Sequence, residues 1–131
     1  MRGILIYQPP GQMETVGAFI ESLDPRMREK LNWQLFRLAY VRPCQLREPH
    51  FKHFSLERYR DLYELREKGK QLVRIIFIVR PNGEVLLLHG FYKRQKRDTN
   101  LALEQSLRIL AELRDHPEYA VEYQFQREGG E

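Results

Sequence analysis

Cysteine is almost absent from this chain. Cys44 stands alone among 131 residues, so no internal disulfide can form, which suits a reducing compartment. Its expected role is a small apolar filler at a helix end rather than a nucleophile. Long apolar runs are missing too, and no stretch approaches the roughly 20 residues of a membrane span. The opening Met1-Arg2-Gly3-Ile4-Leu5-Ile6-Tyr7 is too short for a secretory signal and reads as a strand. A soluble, cytoplasmic protein is expected. No internal repeat, low-complexity tract or Gly/Ser linker interrupts the chain. His50, His53 and His116 lack the spacing of metal ligands, so neither a metal nor another cofactor is expected. Nucleotide-binding glycine loops, serine-nucleophile motifs and paired catalytic carboxylates are also missing. Any catalysis is left to Arg, Lys, His and Tyr.

The length suits one domain with one core, burying about two-thirds of its unfolded surface. The formal net charge is +4, which permits an anionic partner. A first strand is expected over Gly3–Tyr7, broken by Gln8-Pro9-Pro10-Gly11. A helix follows from Thr15 to Leu23, with Val16, Phe19, Ile20 and Leu23 on one face. Asp24-Pro25 is a helix start signal, and a second helix runs to Tyr40. It aligns Leu31, Leu35 and Leu38, flanked by Trp33 and Phe36, and Pro43 ends it. Residues 43–61 read as connection and include the basic, aromatic run Pro49-His50-Phe51-Lys52-His53-Phe54.

Three strands come next, over Leu62–Glu67, Gln71–Val79 and Glu84–Tyr92. Lys68-Gly69-Lys70 and Pro81-Asn82-Gly83 are the turns between them. A last helix is expected from Asn100 to Arg114, with Leu103, Leu107 and Leu110 in a stripe and Asp98 or Thr99 as cap. After Pro117, Tyr119–Phe125 alternates like an edge strand or a tail that orders with a partner. Residues 1–118 are taken as the domain and 119–131 as an extension ending in disorder. The plan is α+β: a small twisted antiparallel sheet in β-α-α-β-β-β-α order, with helices on one face.

The functional signal gathers in Val85–Arg97. An apolar strand ends in His89, Gly90, Phe91 and Tyr92, and Lys93, Arg94, Lys96 and Arg97 follow at once. His89 can exchange a proton near neutrality. Phe91 and Tyr92 point to opposite faces, so one enters the core and the other can stack on a base. The four cations can neutralise phosphates. Arg66 and Arg74 sit on strands that pair across a turn, and their planar forks match a phosphate. The plain alternatives are solvated arginines bridging Glu64 and Glu84, an ordinary strand-end histidine, and a solvated basic turn.

Tyr63-Glu64-Leu65-Arg66, Val73-Arg74-Ile75-Ile76-Phe77 and Leu86-Leu87-Leu88-His89-Gly90-Phe91-Tyr92-Lys93-Arg94 together resemble the phage-derived Gp49-like (HigB-like) branch of the RelE/ParE toxin superfamily. The likeness covers roughly residues 3–115. It implies the toxin of a type II toxin–antitoxin pair, a ribosome-dependent mRNA endonuclease that cuts RNA through the ribose 2′-OH. By that resemblance Arg66 and Arg74 hold and polarise the scissile phosphate, and His89 transfers a proton. Lys93 joins the catalytic set and, with Arg94, binds RNA, Phe91 or Tyr92 positions a base, and Lys96 and Arg97 assist. It further implies a helix-turn-helix antitoxin, contact with ribosome and mRNA, and operator DNA reached only through the antitoxin complex. Where the family often reads Lys-Thr-Pro and then Glu, this chain has Arg97-Asp98-Thr99 and Ala102. A gyrase inhibitor of the sister branch and a degenerate binding module are the alternative functions.

Overall fold

The computed structural model describes residues 3–40 and 50–124. The expectations for Cys44, Pro43 and the last residues lie outside them. The described residues form β1 (Ile4–Tyr7), α1 (Val16–Ser22), α2 (Pro25–Tyr40), β2 (Phe51–His53), β3 (Tyr63–Lys68), β4 (Leu72–Val79), β5 (Val85–Lys93), α3 (Lys96–Asp115) and β6 (Ala120–Glu122). The strands make one sheet in the order β2-β3-β4-β5-β1-β6. Its pairings are antiparallel except β1 against β5, which is parallel. The α+β class is as expected.

Two features of the plan differ. The helices cover both faces of the sheet, not one. Val73, Ile75, Phe77, Val85 and Leu87 share a core with residues of α1 and α2. Ile76, Leu86 and Leu88 share a second core with Ala102, Leu103, Ile109 and Leu113 of α3. This is why β4 is apolar on both sides, as a strand covered twice must be. The second difference is β2, which lies within the stretch read as connection and pairs with β3. The segment after Pro117 supplies β6, an edge strand on β1.

Local chemistry sets the element boundaries. Thr15 caps α1, its Oγ1 accepting from the Ala18 N–H at 3.2 Å. Asp24 caps α2 by accepting from Met27 N at 3.0 Å, and Pro25 fits the first helical position. Helix α3 begins four residues earlier than expected. Its N-cap is Gln95, and Asp98 acts from inside the first turn, accepting from Arg94 N at 2.8 Å and Gln95 N at 2.9 Å. Those hydrogen bonds hold the Asp98 carboxyl below its ordinary value. The β4–β5 turn uses Gly83 at φ +91°, a conformation that favours glycine.

Helix α3 is pinned at two places. Arg58 grips Glu104 through two hydrogen bonds of 2.7 and 2.6 Å, and Tyr59 donates to the same carboxylate. Farther along, Tyr7 of β1 donates to Glu112. No described helix is long and apolar enough to cross a membrane.

Candidate nucleic-acid interface

The β3–β4 register places Arg66 directly opposite Arg74, and the β4–β5 register places Arg74 opposite Phe91. The three make one row across the face that α3 covers farther along. Beside it runs a second row, Lys52, Glu64, Ile76 and His89, and beyond it a third, Lys68, Leu72 and Lys93.

His89 reaches this face through a β-bulge. Ile76 pairs with His89 and Phe77 with Leu87, so Leu88 is an extra residue on β5. Regular alternation would turn His89 toward α1 and α2, together with Leu87. The bulge re-aims it, and its ring lies 6.0 Å from Phe91, nearly parallel to it. Burial pushes the His89 imidazole below its usual value, because charge is costly where water is scarce. The ring is therefore neutral near pH 7.

Glu64 organises the arginines. Its side chain is wholly buried, while those of Arg66 and Arg74 are 20% and 11% exposed. Arg66 Nε donates to Glu64 Oε1 at 2.9 Å, and Arg74 Nε lies 3.7 Å from the same oxygen. Arg74 also donates from a terminal nitrogen to the Val73 carbonyl at 3.1 Å. Burial draws the Arg74 guanidinium down from the ordinary arginine value, with Glu64 opposing the shift and Arg66 adding to it. Glu64 Oε2 and Arg74 Nε are buried without a hydrogen-bond partner. Unsatisfied buried polar atoms are rare in ordinary cores and call for a reason.

The residues singled out in the sequence thus separate into three groups. Arg66, Arg74, His89, Phe91 and Lys93 share one face. Tyr92 lies on the other, edge-on to Phe19 of α1 at 5.1 Å, and Arg94 stands over its ring at 5.8 Å. Both aromatics pack partly against a core, Phe91 on the α3 side and Tyr92 on the α1 side. Lys96 and Arg97 are exposed at the start of α3. Gly90 is required by contact, since an added Cβ would sit 2.3 Å from the Phe19 ring.

Two clefts flank the row. One of about 780 Å³ lies between α1 and α3 and is lined by His89, Phe91, Leu101 and Gln105, among others. The other, of about 580 Å³, is lined by Arg66, Arg74, Lys30, Trp33, Glu67 and Lys68, among others. Arg74 and Phe91, opposite one another in the register, mark the border between them. Of the two carboxylates that the plain alternative set against the arginines, Glu64, which shares strand parity with Arg66, does meet them, but from a wholly buried position, while Glu84 lies 3.4 Å from Arg80 instead.

No curated protein matches the chain. Residues 18–114 match the family described as phage-derived protein Gp49-like (DUF891). That span takes in most of α1, all of α2, the paired arginines, the bulged β5 strand and nearly all of α3, and the chain belongs to this family.

Proposed function

We propose that this protein is the toxin of a type II toxin–antitoxin system and acts as a ribosome-dependent mRNA endonuclease. Membership of the Gp49-like family is compatible with a toxin. The observation that carries the catalytic reading is the arginine pair backed by a buried carboxylate, on the same face as a neutral imidazole and a lysine.

In this reading Arg66 and Arg74 grip the non-bridging oxygens of one phosphate, and their positive charge stabilises the extra charge of the transition state. The ribose 2′-OH loses its proton to His89, and its oxygen attacks phosphorus. The bond from phosphorus to the 5′ oxygen breaks, and that oxygen takes a proton from Lys93. The products are a 2′,3′-cyclic phosphate and a 5′-hydroxyl, so no water is consumed. Phe91, beside Arg74, supports a base. Arg94, Lys96 and Arg97 contribute phosphate or ribosomal RNA contacts away from the reacting centre. Tyr92 supports α1 instead of the base. A helix-turn-helix antitoxin that covers the basic face is the expected partner, and operator DNA is reached only through that complex.

The test is to map new mRNA 5′ ends in a reconstituted translation reaction with and without ribosomes. Ends that appear only with ribosomes and carry 5′-hydroxyls are the expected result. Intact mRNA together with inhibition of gyrase supercoiling would replace this reading with the sister-branch function.

A further inference from the structure

Helix α2 buries Leu31, Leu35 and Leu38 but leaves three aromatics in solvent. Trp33, Phe36 and Tyr40 are 60%, 48% and 59% exposed. They touch in series: the Trp33 and Phe36 rings are 5.7 Å apart and nearly parallel, and the Phe36 ring lies 4.9 Å from Tyr40, tilted by 47°. The indole at the end of this ladder lines the cleft that also holds Arg66 and Arg74.

The charge of that cleft suits an anion. Lys30, Arg66, Lys68 and Arg74 line it against one carboxylate, Glu67. Glu67 is already engaged: Gln34 donates to it at 2.9 Å, and Lys30 and His50 each lie 3.8 Å from it. Glu64 stands behind the two arginines and fixes them. A cationic cleft ending in an exposed indole stacked on Phe36 matches the two needs of a single-stranded nucleic acid, neutralised phosphates and a stacking platform.

We propose that Trp33 is a base-stacking subsite for single-stranded RNA, holding a nucleobase next to the phosphate gripped by Arg66 and Arg74. This rests on the RNA-cleaving reading above and extends it to a second element, α2. The indole accepts any base, because every base offers a π-face. It therefore adds affinity without strong sequence preference.

Trp33 is the only tryptophan in the chain, so tryptophan emission, excited at wavelengths that the tyrosines do not absorb, reports on this position alone. The experiment titrates the full chain with a single-stranded 2′-O-methyl oligoribonucleotide, which lacks the attacking hydroxyl and cannot be cut. Saturable quenching of the indole is expected. In parallel, anisotropy of a labelled copy gives the affinity of variants. Trp33→Ala weakens binding by about 5- to 150-fold, the range for one lost stacked base. Trp33→Phe recovers most of it, and Arg66→Ala loses it. Three results would overturn the subsite: no saturable binding, binding that leaves the emission unchanged, or a Trp33→Ala variant that binds like wild type. An acidic protein partner that shifts the emission where RNA does not would assign the ladder to a protein interface and overturn it too. Failure of the two readings is distinguishable. Quenching without mRNA cleavage keeps the subsite and removes the nuclease. Cleavage with an unchanged KM in Trp33→Ala keeps the nuclease and removes the subsite.

Discussion

Glu64 is a fully buried carboxylate that faces two arginines. Removing one member of a buried ion pair leaves the rest uncompensated, at a cost of about 3–5 kcal/mol. Because Arg66 keeps some solvent contact, Glu64→Gln is expected near the lower end, about 3 kcal/mol, by urea denaturation. A loss under about 1 kcal/mol would mean that solvent already screens the arginines. His89 makes a second prediction. Its folded value lies below the ordinary 6.5 because of burial, so between the two values the unfolded chain holds more protons. Stability therefore rises with pH until about 6.5 and then levels off with respect to this group. Melting temperatures of wild type and His89→Gln across that range should diverge as pH falls, with the variant losing less. Parallel curves would remove His89 as the source.

At the scale of elements, what the sequence revealed and what it hid have separate physical causes. Helix α2 was legible because Leu31, Leu35 and Leu38 repeat at helical spacing and Asp24-Pro25 marks its start. The Arg66–Arg74 pairing was legible because a short turn fixes hairpin register. The bulge at Leu88 was not, since one added residue leaves no mark on an apolar run, yet it decides which face His89 joins. Strand β2 is three residues long and owes its pairing to β3, not to its own pattern. Coverage on both faces is written in the apolar residues on either side of β4, but Arg74 on the same strand gives one of those sides the pattern of a solvated face. Gly90→Ala tests how closely α1 meets β5. Its methyl group must displace the Phe19 ring, and overpacking of this kind costs about 1–3 kcal/mol. Thermal unfolding measures it, and an unshifted melting point would show that Phe19 moves freely. The Arg58–Glu104–Tyr59 clamp carries a pH signature. Its hydrogen bonds hold the Glu104 carboxyl down at about 2, against an ordinary 4.5. The stabilisation is thus present above pH 4.5 and fades as pH falls toward 2. Glu104→Gln should show a shallower loss of melting temperature over that window, and an identical slope would assign the acid sensitivity elsewhere.

For the whole molecule, a sheet covered by α1 and α2 on one face and α3 on the other leaves one end of the α3 face uncovered. There the arginine row, His89 and Lys93 collect, with clefts on both sides. The central claim is that this end of the sheet cleaves RNA. The most direct measurement is single-turnover cleavage of mRNA on programmed ribosomes by wild type, Arg74→Ala, His89→Ala and Tyr92→Ala, each checked for folding. If the claim holds, loss of the Arg74 guanidinium or the His89 imidazole slows cleavage by about 100-fold or more, the scale of one lost electrostatic or proton-transfer group. Tyr92→Ala, altered on the opposite face, cleaves within a few-fold of wild type. Undiminished cleavage by both Arg74→Ala and His89→Ala would contradict it.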